Sequence, residues 1–271
     1  MHPRFIELFQ PHYPKLHLVT KEEAEALRPY ACYNIGLFWG YDTDNQVVDH
    51  RLCGNHRTAG WILGVDPSDI PPRCDLSAPR KIQEPYVVIA THASTQCKMW
   101  NNPVGWREVI QFLHDNGYKV ACCDRSPYAG QGIVWNQMPW GVDIDDTGDK
   151  PLQERIDLIK DADFFIGLGS GLSWVAWMAK VPVVLISGMS APVSEFETPY
   201  RVINRNVCNA CWNDVRYNFD HQDFLWCPRH KGTDQQFECS RMISGKMVID
   251  AVKRIPAFQR RTESIKQNKK K

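Results

Sequence analysis

Four cysteines fall within one short window: Cys208 and Cys211 in NVCNACW, Cys227 in LWCPRH and Cys239 in FECSR. A C-x-x-C knuckle aims two thiolates at one point with little backbone strain, and two more thiolates can close a tetrahedron. That is the closed four-sulfur arrangement that holds zinc or iron. With every position filled by protein, none is left for substrate, so the metal is structural. It would pin segment 206–241, whose many polar residues make no core of their own. His221 and His230 are alternative ligands in the same segment. Ligand chemistry alone makes zinc the default. A disulfide framework belongs to an oxidising compartment, and a redox pair to a C-x-x-C at the start of a βαβ unit. This one sits late, in a polar loop.

Three loops carry further chemistry. In FFIGLGSGLSWVAW, Gly169, Ser170 and Gly171 lie between a strand and a helix. Glycines there let the backbone approach a ligand, and the N–H groups of Gly171, Leu172 and Ser173 would face an anion at the positive end of the helix. The Ser170 and Ser173 hydroxyls add hydrogen bonds. The bland alternative is a tight turn with a serine helix cap. Neither G-x-G-x-x-G nor a Walker P-loop matches. In THASTQCKMWNNP, Thr91, Ser94 and Thr95 offer hydroxyls, Lys98 a cation and Trp100 a stacking face; the alternative is a surface loop with a solvated lysine. In CCDRSPYAG, Asp124 ends a strand, where a carboxylate could grip ribose hydroxyls or simply start a turn. The first two loops both follow strands, so together they can make a diphosphate pocket.

The elements that must position these loops begin near residue 84. YVVIATHAS, YKVACCD, DFFIGLGSG and PVVLIS read as strands. PVGWREVIQFLHDNG, PLQERIDLIKDA and LSWVAWMAKV read as the helices between them, the first with Val104, Val109, Phe112 and Leu113 inside and Gly117 as its stop. Strands alternating with helices predict an α/β fold with a parallel sheet covered on both faces. Upstream, PKLHLVT and YNIGLFWG read as strands, KEEAEALRPYA as a short helix, and DHRLCGNHRTAGWILGV as a segment ending in a helix closed by Pro67. DAVKRIPAFQ ends the ordered part, and RRTESIKQNKKK reads as a disordered basic tail.

The bulk composition is that of an ordinary globular protein. Lys and Arg number 32 against 31 Asp and Glu, a formal net charge of +1, which makes no electrostatic case for nucleic acid or membrane as the main partner. There is no long apolar run, and the proline-broken start lacks the apolar core of a signal peptide, so a cytoplasmic protein is expected. The other six of the ten cysteines (Cys32, Cys53, Cys74, Cys97, Cys122 and Cys123) read as small core hydrophobes.

GLGSGLSWVAWMAKVPVVLISGMSAP resembles the nucleotide-sugar turn of bacterial heptosyltransferases, glycosyltransferases of the two-lobed GT-B fold, and THASTQCKMWN resembles their Thr/Lys phosphate loop. With HRTAGWILGVDP and the late cysteines, the chain over about residues 30–258 resembles the autotransporter heptosyltransferases, which O-glycosylate serines of bacterial adhesins. The resemblance implies ADP-heptose as donor, an adhesin passenger as acceptor, iron on Cys208, Cys211, Cys227 and Cys239, and a large ring-like homo-oligomer, a dodecamer in the family. It implies Thr95 and Lys98 at the diphosphate, the backbone of Gly169, Ser170, Gly171 and Leu172 at the pyrophosphate, Asp124 near the ribose, and inverting transfer.

The expected organisation is a remnant of the acceptor lobe over 1–83, the donor lobe over 84–205, a metal finger over 206–241, a helix over 242–258 and the tail over 259–271. The chain departs from the family at Gly169 and Trp174, where the general heptosyltransferases carry Asp and His. Nothing matches the family's catalytic aspartate; Asp42, Asp44, Asp49 and His50 are the acids and base in that half. The alternative function is a non-catalytic nucleotide-sugar-binding or assembly subunit, and a third reading is an unrelated metal-stabilised α/β protein.

Overall fold

The computed structural model describes residues 1–33, 35 and 49–268. Its first half is irregular. Helices α1 (Pro3–Phe9) and α2 (Lys21–Ala26) are short. The second begins with a reciprocal capping box, Thr20 taking the Glu23 N–H while the Glu23 carboxylate takes that of Thr20. PKLHLVT is turn and coil, not a strand. The Gln10 amide donates to the carbonyls of Tyr13 and Leu16 and accepts from the Leu18 N–H, so one side chain satisfies the groups a strand ladder would have used. Most of YNIGLFWG, together with Asp42 and Asp44, lies outside the described residues. Helices α3 (His50–Cys53) and α4 (Asn55–Leu63) meet at Gly54.

The predicted α/β rhythm holds. Strands β1 (Tyr86–Ile89), β2 (Lys119–Cys122), β5 (Ile144–Asp145), β6 (Phe164–Leu168), β7 (Val183–Ile186) and β8 (Arg201–Val202) form one parallel sheet in the order β5-β2-β1-β6-β7-β8. Between β2 and β5 the chain makes a separate antiparallel ribbon, β3 (Tyr128–Gln131) and β4 (Val134–Gln137), which the sequence reading missed. The order reverses between β1 and β6, the kind of switch point at which open α/β sheets leave a crevice beyond the strand ends.

Both sheet faces are covered. Val87, Ile89, Val120, Phe164, Ile166 and Val184 point to one side, under helices α5 (Gly105–Asp115), α9 (Gly245–Val252) and α10 (Pro256–Asn268). Tyr86, Val88, Ala121, Phe165, Val183 and Leu185 point to the other, under α6 (Leu152–Ile159), α7 (Gly171–Met178) and Leu8 of α1. Helix α5 stops before Gly117 and buries Val109 and Leu113 of its predicted stripe; Phe112 is half-buried, Val104 precedes the helix, and Ile110 is buried in addition. Of the six scattered cysteines, Cys97, Cys122 and Cys123 are buried, while Cys53 and Cys74 are half-buried and Cys32 is exposed.

The C-terminal part differs from expectation. The single helix over 242–258 is two, broken before Pro256, which starts α10 at the position where a missing N–H costs nothing. Residues 259–268 of the predicted tail are helical. Phe258 is buried and stacks on Phe112 at 5.3 Å, and Arg261 Nε donates to the Asn116 carbonyl at 3.0 Å, so the tail is anchored from its first turn. The short helix α8 (Glu238–Arg241) carries Cys239. Among the described residues, no helix is long and apolar enough to cross a membrane.

Candidate functional site

A cavity of about 510 Å³ opens beyond the carboxyl ends of β6 and β7, next to the switch point. Three chain turns build it: Lys98 from the loop after β1, Gly169 after β6, and Ser187–Ser190 after β7. His56 on α4 and Trp174 on α7 close one side. Trp212, Phe219 and His221 of segment 206–241 close another as an edge-to-face series, with ring centroids 5.2 and 4.8 Å apart.

The turn after β6 is tight because Ser170 N–H folds back on the Leu168 carbonyl at 2.7 Å and the buried Ser173 hydroxyl donates to the same carbonyl at 2.6 Å. The Ser173 side chain and N–H are therefore engaged inside the turn, the latter on the Ser170 carbonyl. No side chain among the described residues caps α7, so the N–H groups of Gly171 and Leu172 in its first turn have no cap. Gly169 has a second reason to be glycine: a Cβ there would sit 2.4 Å from Oε1 of Glu195. Glu195, only 4% exposed, is held by Arg201 Nη1 at 2.5 Å and by the Ser190 hydroxyl, so a fixed carboxylate lies against the glycine turn. The sequence reading missed Glu195, as it missed His56: neither sits in a glycine-rich or strand-end motif, and only tertiary packing brings them here.

The loop after β1 serves two purposes. Lys98 faces the cavity, with Nζ 5.7 Å over the Phe219 ring and 3.5 Å from the Ser94 hydroxyl. Burial pulls its pKa down, opposed by the negative charge of Cys97 and Glu195. Of the predicted donor residues only Lys98 and Gly169 line the cavity; Thr91, Ser94, Thr95, Trp100, Asp124, Ser170, Gly171, Leu172 and Ser173 do not. Asp124, 2% exposed, accepts from the Thr91 N–H and hydroxyl at 2.8 and 2.9 Å and from the His92 N–H at 3.2 Å. It clamps the loops after β1 and β2 together, and its oxygens face backbone where a ribose contact was expected. The buried Thr95 hydroxyl lies 3.2 Å from Cys97 Sγ. Trp100 is 4% exposed, donates to the Ile243 carbonyl at 2.8 Å and packs on Trp106, which leaves no face for a base.

Segment 206–241 docks on these loops. Ala210 and Trp212 N–H groups donate to the Gly188 and Met189 carbonyls, Gln96 N–H donates to the Phe224 carbonyl, and Cys97, Met189, Trp212, Phe219 and Trp226 share a small core. None of Cys208, Cys211, Cys227 and Cys239 forms a disulfide. Burial pushes the Cys208 thiol up to about 12, with Glu238 and the neighbouring thiols adding to it; burial and then Cys208, Cys211 and Cys227 push Cys239 up as well. Thiols crowded in a dry place resist ionising unless a cation joins them, so this donor set fits a soft metal. Ala210 and Phe237, both non-glycine, hold left-handed backbone at φ 59 and 58, flanking Cys211 and opening α8, a strain that packing must maintain. The donor atoms gathered within 4.8 Å among the described residues are not the four sulfurs but those of Cys208, His230 and Glu238. His230 is thus beside the group, whereas His221 faces the cavity.

Residues 60–221 match the model of glycosyltransferase family 9 (heptosyltransferase). The chain belongs to this family. It is 56% identical over 254 residues to the autotransporter heptosyltransferase Aah of Escherichia coli, covering 94% of this chain and 65% of Aah. The crystal structure of the dodecameric, iron-containing heptosyltransferase TibC with ADP-D-β-D-heptose superposes with a TM-score of 0.92 at 55% identity, covering 94% of this chain and 67% of that one. The inactive autotransporter heptosyltransferase BimC of Burkholderia thailandensis is 42% identical, over 93% of this chain and 60% of BimC. The chain thus spans somewhat under two thirds of the length of Aah and BimC. These relationships exclude the unrelated metal-stabilised α/β protein.

The Gly169–Glu195 contact makes a specific stability prediction. Gly169→Ala costs roughly 1–3 kcal/mol by overpacking, measured as a shift in urea midpoint at constant m-value. In a Glu195→Ala background the same change costs close to nothing. Additive costs would show that the two residues do not touch in solution.

Proposed function

We propose that this chain carries the donor half of a heptosyltransferase that moves heptose from ADP-heptose to serine hydroxyls of an autotransporter adhesin. The observation that supports this best is the cavity at the switch point. There a half-buried cation, Lys98, and the glycine turn at Gly169, which leads into the uncapped first turn of α7, border a wall of aromatic and hydroxyl side chains. A diphosphate needs the first two and a nucleotide-sugar the rest. In the reaction the serine Oγ attacks the anomeric carbon as the bond from that carbon to the β-phosphate oxygen breaks. The serine proton passes to a base, and the charge left on ADP is stabilised by Lys98 and by the Gly171 and Leu172 N–H groups. Gly169 and Ser170 shape the turn, and Ser94 supports Lys98.

The base is not among the candidates that can be described. Burial works to raise the Asp49 pKa, but hydrogen bonds and charge from Arg51 outweigh it and hold the carboxylate below its usual range, making it a poor proton acceptor. His50 is fully buried. This and the inactive relative BimC favour one alternative, a nucleotide-sugar-binding or assembly subunit without turnover.

Three further assignments complete the reading. Cys208, Cys211, Cys227 and Cys239 hold one iron ion, with zinc as the alternative, as the iron in TibC supports. The chain works in the bacterial cytoplasm, and it assembles into a homo-oligomer. The ribbon β3–β4 and its exit support assembly: Ile133, Trp140 and Trp135, within eight residues of chain, are 99%, 93% and 61% exposed, apolar surface that water disfavours. The division into an acceptor-lobe segment over 1–83, donor lobe over 84–205 and finger over 206–241 is part of the proposal.

Calorimetric titration with ADP-heptose and ADP-glucose tests the donor reading: the heptose donor binds and Lys98→Ala weakens it roughly 10- to 150-fold, the worth of a charged hydrogen bond. Equal affinity in the variant would remove Lys98 from the site. Cys208→Ser lowers iron content per chain and the melting temperature by on the order of 5–10 °C; full metal occupancy in that variant would count against the four-cysteine site. Trp140→Asp shifts the mass measured by light scattering toward smaller species, and an unchanged mass would clear the ribbon of a role in assembly.

A further inference from the structure

Glu195 is a carboxylate built into the cavity wall, and its neighbours show which of its oxygens borders the cavity. It follows the 3₁₀ turn Pro192–Ser194, closed by the Glu195 N–H on the Pro192 carbonyl at 3.3 Å. Segment 206–241 holds that turn, because Asn213 Oδ1 accepts from the Ala191 N–H at 2.7 Å and from the Ser194 hydroxyl at 3.1 Å. Arg201, which opens β8, donates through Nη1 to Oε2 at 2.5 Å and through Nη2 to the Phe196 carbonyl at 2.9 Å. Oε1 accepts from the Ser190 hydroxyl. A Cβ on Gly169 would overlap Oε1 and come 3.5 Å from the Ser190 hydroxyl oxygen. Oε1 therefore sits between Gly169 and Ser190, and all three residues line the cavity.

A carboxylate has about four acceptor sites. Among the described residues, Glu195 receives one side-chain donor on each oxygen, from Ser190 and from Arg201. Oε1 thus keeps acceptor capacity beside the glycine turn, and the missing side chain at Gly169 leaves it uncovered. A fixed carboxylate accepts from hydroxyls and repels phosphate oxygens. Lys98, on the same cavity, has the opposite preference. Ser187, Ser190 and Ser194 add hydroxyl groups beside Glu195. A ligand with a diphosphate in one part and hydroxyls in another matches both. We propose that Glu195 is a sugar-recognition residue, whose Oε1 accepts a hydrogen bond from a hydroxyl of the sugar carried on the diphosphate, while Arg201 and Ser190 hold the carboxylate in place. This rests on reading the cavity as a nucleotide-sugar site. It gives the site a polarity: phosphates lie toward Lys98 and sugar hydroxyls toward the floor under Gly169.

The test compares ADP with ADP-heptose by titration calorimetry on the full chain. In wild type both bind. Glu195→Gln keeps the shape of the side chain, and Arg201 claims its amide oxygen, so an uncharged donor replaces the acceptor at Oε1. ADP-heptose affinity falls about 10-fold, the difference between a charged and a neutral hydrogen bond. ADP affinity does not fall, because the charge removed opposes phosphate; this also shows that the variant folds. Gly169→Ala lays a methyl group against Oε1 and likewise weakens ADP-heptose more than ADP, and it decides the matter by the same comparison if Glu195→Gln does not fold. If ADP and ADP-heptose weaken equally, or if neither weakens, the carboxylate serves the turn alone and the proposal falls while the donor site stands. If the wild-type chain binds neither nucleotide, the donor-site reading fails and this inference fails with it.

Discussion

A parallel sheet buried on both faces leaves its loops only two places to go, and the rest of this molecule follows from that. Helices α5, α9 and α10 cover one face and α6 and α7 the other, so polar and glycine-rich turns are driven to the carboxyl edge. Because the order reverses between β1 and β6, the turns after those strands diverge and leave a crevice. Lys98 and the Gly169 turn border it together without either segment being near the other in sequence.

The crevice is finished by parts that are not strand-end turns. Asp124 ties together the loops after β1 and β2 through three backbone and side-chain donors, which holds the Lys98 loop in one conformation. Glu195, clamped by Arg201, sets the floor under Gly169. Segment 206–241 then seats its small aromatic core on Cys97 and Met189 and turns Trp212, Phe219 and His221 to the cavity. A metal in that segment would therefore stabilise a wall of the site as well as the segment itself. The cost of that arrangement is visible in the left-handed backbone at Ala210 and Phe237 and in thiols held far from their ionised form.

Much of this was legible in the residue order. The α5 stripe, the apolar strands and the alternation of the two periods are local properties, and each local preference agrees with the final sheet. The Lys98 and glycine-turn loops were legible because they follow strands, and strand ends in such folds converge. Thr91, Thr95, Trp100, Asp124 and Ser173 each spend a polar group on an internal contact. Hydroxyl, carboxylate and indole groups serve internal struts as readily as ligands, and only burial separates the two uses. The predicted strand in PKLHLVT failed because Gln10, a single side chain, captured its backbone groups. The predicted disordered tail failed because Phe258 and Arg261 found partners on α5 and the turn after it.

The sequence by itself determined the class of fold, the positions of its turns and the crowding of four thiols in one segment, because periodicity, glycine and cysteine spacing act over a few residues. Tertiary structure alone decided the strand order, and with it the crevice. It also decided that Glu195 lies under Gly169, that His56 comes to the cavity wall beside Asp69, and that the cysteine segment forms another wall. Those contacts join residues from 13 to well over 100 positions apart, and the free energy that selects them comes from burial and charge pairing in the folded chain, which no local pattern encodes.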